Sequence, residues 1–322
     1  MPAAAVPDDH RQRADATPVR AGLARLIDSC PLGCTPALRP TDILLPEGPL
    51  QRCPECSLLV SSCSAAQHEA SLAHWDTTGG TTPDARSVRR FRTVTRRRLA
   101  LALALLPDRS RPSLLDVGCS SGSLLEVAAG MGFAVKGVEI APAAAAAARR
   151  AGFDVHQGLL QDAGHAPQSF DVITLVELIE HVTDPLALLR HCHRLLRPGG
   201  VVVVNTPNGA SWTARVLGGR WEGFSLVKLG GHICFYSPAA IRVLAERTGF
   251  DVAAVRTRHL RLTEPDSVPR VVHRLAKLAA KPAALAARWF GTGHDMLAAL
   301  QRRPAVPPGT DAQAGFGSRP SR

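Results

Sequence analysis

Three groups of residues have the types and spacing to do chemistry. In Leu114-Leu-Asp-Val-Gly-Cys-Ser-Ser-Gly122, Asp116 stands just ahead of a turn that carries Gly118 and Gly122. Glycines let backbone come close to a bound molecule. A pyrophosphate site needs G-x-G-x-x-G. Here the spacing is Gly118-x-x-x-Gly122 behind an acid, which suits a cationic ligand better. Glu139, at the end of the next apolar run, offers a carboxylate to both hydroxyls of a ribose. The second group is Glu177-Leu-Ile-Glu180-His181. If that stretch is helical, the three polar residues share one face and can hold a divalent cation; otherwise Glu180 and His181 shape a pocket, with His181 as a general base. The third group pairs Cys30 with Cys34 and Cys53 with Cys56. Two such knuckles, brought together by short strands, make a closed tetrahedral Cys₄ zinc site. Ile43–Leu45 and Leu58–Val60 are the candidate strands, and Cys63 and His68 are spare ligands.

The elements that must position these groups alternate in type from Ser113 onward. Strands are expected at Leu114–Val117, Ala134–Ile140, Phe153–His156, Phe170–Val176, Val201–Asn205 and Phe250–Arg256, with a last one at Met296–Leu300. Helices are expected from about Ser123, over Ala141–Ala151 with Pro142 in the first turn, over Pro185–Leu196 and over Pro238–Thr248. The alternation implies an α/β fold, a Rossmann-like doubly wound, mostly parallel seven-stranded sheet with helices on both faces. Ligands of such sheets bind at the carboxyl ends of the central strands. The expected organisation is a disordered stretch over 1–24, a zinc-ribbon-like module over 25–63 and a helical linker over 64–108. A main domain over 109–303 follows, with a helical insertion at 260–290, and then a disordered tail over 304–322. Ser211–Gly231, which holds Trp212 and Trp221, and the insertion at 260–290 are the segments placed to choose a substrate.

Composition narrows the partners. The 322 residues carry a net charge of +11, and Arg86–Arg98 alone holds seven arginines. Such a run attracts nucleic acid, anionic lipid or a phosphorylated substrate, or is simply a solvated helix face. Phe91 is the one aromatic among them, so stacking on single strands has little support. The segment 260–290 is basic and partly amphipathic; a cap packed on the domain is favoured over rest on a membrane surface. No apolar run is long enough to cross a bilayer and residues 1–20 lack the apolar core of a signal peptide. A cytoplasmic protein is expected, its thiols reduced.

From Leu114 to about Phe250 the chain resembles the class I S-adenosylmethionine (SAM)-dependent methyltransferases, in the branch that includes ubiquinone-pathway O-methyltransferases. The matching stretches are 114–122, Gly137-Val-Glu-Ile140, Phe170-Asp-Val-Ile173, Glu180-His-Val-Thr-Asp-Pro185, Leu195-Leu-Arg-Pro-Gly-Gly200 and Asn205-Thr-Pro-Asn208. The resemblance implies a cofactor set of Asp116, Gly118, Cys119, Ser120, Gly122, Glu139, Ile140 and Leu160. Asp116, Gly118 and Gly122 would line the methionine end and Glu139 the ribose. Ser120 replaces the family's middle glycine. Metal-dependent O-methyltransferases have a Glu-x-x-Glu-His…His arrangement, which Glu177, Glu180, His181 and His232 match here. It implies Mg²⁺ or Mn²⁺ gripping two neighbouring hydroxyls of a small-molecule or sugar-containing acceptor, with Glu180 and His181 as the catalytic residues. Zinc ribbons at the N-terminus also occur in this bacterial group. Two other readings compete: a zinc-ribbon protein that binds or modifies nucleic acid, and an inactive SAM-binding scaffold.

Overall fold

The computed structural model describes residues 24–78, 85–106, 110–227, 230–264 and 267–303. The disorder expected over 1–24 and 304–322 falls outside these residues, save for Ala24. The order of elements is β1 (Arg39–Leu45), β2 (Gly48–Arg52), β3 (Leu59–Val60), α1 (Ala65–Thr78), α2 (Ala85–Leu103), β4 (Ser113–Val117), α3 (Ser123–Ala129), β5 (Ala134–Glu139), α4 (Pro142–Arg150), β6 (Val155–Gln157), β7 (Phe170–Val176), α5 (Pro185–Leu195), β8 (Leu196–Pro207), α6 (Trp212–Leu217), β9 (Cys234–Phe235), α7 (Pro238–Arg247), β10 (Phe250–Arg258), α8 (Arg270–Trp289) and β11 (Asp295–Arg302).

Seven strands form one sheet in the order β10-β11-β8-β7-β4-β5-β6. The β4, β5, β6, β7 and β8 ladders are parallel, and β11 runs antiparallel between β8 and β10. The expected doubly wound α/β architecture is therefore present. Its central strands are apolar on both faces, as a sheet covered on both sides requires. Successive residues alternate between two cores. Leu115, Ile173, Val202 and Val204 pack on one face with α5 and α7; Leu114, Val172, Val201 and Val203 pack on the other with α2, α3 and α4. Several elements are longer than the sequence pattern suggests. Strand β8 starts at Leu196, taking in the Arg-Pro-Gly-Gly run, and its ladder with β7 is shifted between Phe170 and Val172.

The cysteine-bearing segment is joined to the main domain through a sheet. β1, β2 and β3 continue into β9, in the order β1-β2-β3-β9, with Leu59 opposite Phe235 and Val60 opposite Cys234. Its interior runs on into one of the two cores, where Leu32, Leu58 and Val60 cluster with Tyr236, Ile241 and Leu244. The segment after β8 closes a third core against it, with Leu45 and Leu50 meeting Leu217, Trp221 and Phe224. The helix expected within 260–290 is α8, which continues through Pro282. It leaves Val271, Leu275, Leu278, Leu285 and Trp289 exposed. Among the described residues, no helix is long and apolar enough to cross a membrane.

Candidate active site

The carboxyl ends of β4 and β5 form the first part of the site. The turn after β4 begins with Gly118 at φ +75° and Ser120 at φ +48° and ends with Gly122 at φ +86°. The N–H groups of Gly118 and Cys119 both donate to the Val138 carbonyl, at 2.8 and 3.1 Å, which ties the turn to β5. Ser120 donates its N–H to Glu139 Oε2 and Ala141 donates to Oε1, each at 2.8 Å. Each oxygen keeps a lone pair for a further donor, so the carboxylate is held in place yet still able to take hydroxyls. Ser120 accepts a left-handed backbone that favours glycine, and this bond is what the strained conformation secures. Gly122 has no room for a side chain: a Cβ there would stand 2.9 Å from the Phe153 ring.

Asp116 is buried at the end of β4 and accepts a hydrogen bond from Thr174 Oγ1 at 2.6 Å. Burial pushes its carboxyl up to about 7, and the Glu139 charge adds to this. A positively charged ligand beside it would restore its charge. Ile140 is exposed just past β5, and Leu159 is exposed just past β6. Leu160, expected at the cofactor, is buried in the core. The open apolar surface is that of its neighbour, because the chain turns into a short 3₁₀ helix over Leu160–Asp162.

The second part follows β7. The helix that would put Glu177, Glu180 and His181 on one face is not formed. Glu177 has φ +51° and only Ile179–His181 makes a 3₁₀ turn. Glu177 consequently points toward β8, where the Asn205 side-chain amide donates to its Oε1. Glu180, His181 and His232 do come together, with candidate ligand atoms all within 4.8 Å of one another. Glu177 is not in that group. The His181 and His232 rings meet edge to face at 4.7 Å. His232 Nδ1 donates to the Gly223 carbonyl at 3.0 Å, because a carbonyl can only accept. That leaves Nε2 as a lone pair, 3.9 Å from Glu180 Oε1. Burial, with the Glu177 charge beside it, raises Glu180 well above the carboxylate range. Burial lowers His181 to about 3, and His232 also lies below its ordinary value. Two neutral imidazoles and a buried carboxyl that makes no well-formed hydrogen bond among the described residues suit a divalent cation. It would be gripped by three of the four residues the sequence nominated.

The four cysteines also come together. Cys30, Cys34, Cys53 and Cys56 are buried, with sulfurs within 4.8 Å of one another. Cys30 and Cys56 Sγ are 3.6 Å apart, close to the spacing of two thiolates each about 2.3 Å from one tetrahedral Zn²⁺. Cys63 lies outside that group. His68 also lies elsewhere, on α1, where a Cβ on Gly231 would be 3.4 Å from its Nε2. Among the described residues that nitrogen has no hydrogen-bond partner, and His68 acts electrostatically on His181.

Residues the sequence reading passed over are Thr174, Asn205 and Arg98. Asn205 opens the Asn-Thr-Pro-Asn run already noted, but only the β7–β8 ladder shows that it faces Glu177. Arg98 stands out from its basic run because it lies within electrostatic reach of Glu177, Asp295 and Asp116.

The family described as "Methyltransferase domain" matches residues 88–255, just over half of the chain. The chain belongs to the methyltransferase domain family. The ubiquinone biosynthesis O-methyltransferase of Thiobacillus denitrificans is 34% identical over 149 residues, 43% of this chain and 64% of that protein. The protein of the same name from Pseudomonas paraeruginosa is 41% identical over 105 residues, 30% of this chain and 44% of the relative. The match thus spans less than two thirds of these curated relatives. In the Haloferax volcanii complex that holds the Trm112 methyltransferase activator, a chain is similar in fold, with a TM-score of 0.50 and 18% identity over 71% of this chain and 97% of that one.

Proposed function

We propose that this methyltransferase-family chain moves a methyl group from SAM to a hydroxyl of a small-molecule acceptor, with a divalent cation assisting. The observation that carries the reading is the meeting, at one sheet edge, of a nucleoside cradle with a Glu-His-His cluster. When bound, SAM supplies a sulfonium-activated methyl group that an aligned nucleophile can take. Glu139 receives the ribose hydroxyls. Asp116 complements the positive charge at the methionine end. Ile140 and Leu159 offer apolar surface to the adenine, and Leu160 supports them from the core. Cys119, Gly118 and Gly122 shape the turn that lets the ligand approach.

On the acceptor side Glu180, His181 and His232 would hold Mg²⁺ or Mn²⁺, which lowers the pKa of an oxygen bound to it. The name of the O-methyltransferase relatives agrees with an oxygen acceptor. Positioning carries much of the rate, since in-line attack needs the nucleophile close and aligned. The four cysteines would hold Zn²⁺ as a closed structural site. Incubation with methyl-labelled SAM and catechol- or sugar-bearing acceptors, with Mn²⁺ or EDTA, tests the reading. Label is expected on an oxygen and is expected to fall with chelation. Undiminished transfer by His232→Ala in EDTA would remove the cation, and lack of SAM uptake by folded protein would remove the whole assignment.

A further inference from the structure

The seven arginines of Arg86–Arg98 read in sequence as a basic run. In the fold, part of that run becomes the wall of a cavity of about 430 Å³. Arg89, Arg90, Arg97 and Arg98 come from α2, and Arg256 and Arg258 come from β10. The last two, at i and i+2, face the same side of their strand. We propose that this cavity receives the phosphate or diphosphate group of the acceptor, so that the enzyme methylates a phosphorylated small molecule. The inference rests on the methyltransferase reading and names the substrate class for that same site.

Charge supports it. Asp295 is the one carboxylate among the described lining residues, and it already pairs with His259 at 2.9 Å. Among the described residues none of the six arginines has an ion-pair partner, although arginines elsewhere do. Arg92, on the same helix, pairs with Glu126 at 2.5 Å, Arg197 with Asp171 at 2.9 Å and Arg303 with Asp251 at 2.9 Å. Guanidiniums gathered around one cavity repel each other. Burial lowers Arg258, and the neighbouring Arg288, Arg97 and Arg256 charges press it further. A phosphate relieves this repulsion, and its oxygens match the planar two-toothed donor set of arginine.

Size and place support it as well. The volume falls within the range of small-molecule pockets, roughly 300–1,000 Å³, and a concave site of that size does not fit a duplex groove or track a strand. Asn205 lines the cavity and bonds to Glu177. Arg98, in the same lining, is coupled to Glu177 and Asp116. An anion seated among the arginines therefore has the rest of its molecule beside the catalytic edge.

The test is calorimetric titration of the full chain with inorganic pyrophosphate, at about 0.15 M ionic strength to screen exposed charge, with S-adenosylhomocysteine binding measured on the same samples. The expected result is one saturable pyrophosphate site in the wild type. It should weaken by about tenfold or more in Arg256→Gln/Arg258→Gln and, from the opposite wall, in Arg90→Gln, as lost charge-assisted bonds demand. S-adenosylhomocysteine affinity should stay unchanged in all of them, which also reports an intact fold. Absence of saturable pyrophosphate uptake, or equal uptake by the variants, overturns the proposal. So does a parallel loss of nucleoside binding, which would assign the cavity to the cofactor's own carboxylate. An oligonucleotide that binds the wild type, excludes pyrophosphate from it and loses its own binding in Arg256→Gln/Arg258→Gln also overturns it, in favour of nucleic acid. If the wild type takes pyrophosphate but not the nucleoside, the methyltransferase reading fails and not the phosphate site.

Discussion

The two halves of the site are built in opposite ways. The proposed nucleoside half is local: Asp116, Ser120 and Glu139 come from consecutive strand–turn units, and Ser120 bonds to Glu139 where β4 lies beside β5. The acceptor half is assembled from distant segments. Ile233 donates its N–H to the Glu180 carbonyl at 2.9 Å, and its own carbonyl accepts from Ser61 N–H at 2.9 Å. His232 is thus held between the turn after β7 and the sheet that follows the cysteine knuckles. The contrast teaches that cofactor binding and acceptor chemistry can fail separately. The cysteine module should govern the second without touching the first.

The sharpest way to break that contrast is to disrupt the proposed Zn²⁺ site of the knuckles. Cys53→Ser, or zinc stripping with a chelator followed by Mg²⁺ repletion, should abolish transfer, since misplacement of about 1 Å alone can lose 10²-fold. S-adenosylhomocysteine affinity should hold. Metal analysis should find one zinc per wild-type chain. Equal loss of nucleoside binding would show that the halves are a single unit.

Next in size is Asp116→Asn. Breaking a buried charge pair costs about 3–5 kcal/mol, so SAM affinity should fall by roughly two to four orders of magnitude while zinc content is unchanged. The pH dependence has a definite sign. The free carboxyl is protonated below about 7, so SAM affinity measured by calorimetry should weaken as pH falls through 7. The stability of the unliganded protein should run the other way. A carboxyl raised in the fold from 3.8 to about 7 stabilises most below 3.8 and loses that contribution as pH climbs through 7. Asp116→Asn should accordingly melt higher than wild type at pH 8, and a lower melting point there would count against the buried, uncompensated acid.

His232→Ala comes third. If His232 is one of the ligands proposed above, its removal should cut turnover by about tenfold or more and abolish stimulation by Mn²⁺, because a Lewis-acid contribution of that kind is worth several kcal/mol. Steady-state rates with and without Mn²⁺ check it, and stimulation retained in the variant would point to another set of ligands.

What the sequence made legible follows the same division. That Asp116, Gly118, Gly122 and Glu139 meet around one turn could be read because turn geometry and strand period act over a few residues. The strand–helix alternation implied the sheet for the same reason. Glu177 could not be placed, because its hydrogen-bond partner Asn205 lies far along the chain, on β8. Leu160 and Leu159 could not be told apart, since a 3₁₀ turn one residue long in its effect decides which side chain is buried. His68 looked like a spare zinc ligand from its distance to the cysteines, yet α1 carries it to Gly231. Arg98 was one of seven until α2 was packed against α3, β8 and β11. The pairing of β3 with β9 joins Val60 to Cys234, and no local pattern announces a two-residue bridge between segments so far apart.

The smallest expected effect lies at the outer seam between module and domain. Arg247, at the end of α7, donates through Nη1 to the Leu32 carbonyl inside the first knuckle and pairs through Nη2 with Glu55 of the second, at 3.0 Å. The ion pair is partly exposed and worth about 0.2–1 kcal/mol, and the bond to the carbonyl adds a similar amount. Neither touches His232 or Asp116. Arg247→Ala should therefore release zinc to a colorimetric chelator a few-fold faster, lower the melting point slightly, and change turnover and nucleoside affinity by less than about twofold. Arg247→Lys keeps the charge near Glu55 but not the two-directional reach, so it should recover only part of the zinc retention. If either variant costs as much activity as Cys53→Ser, the module is held to the domain chiefly at α7, and the β3–β9 pairing is not what positions the acceptor half.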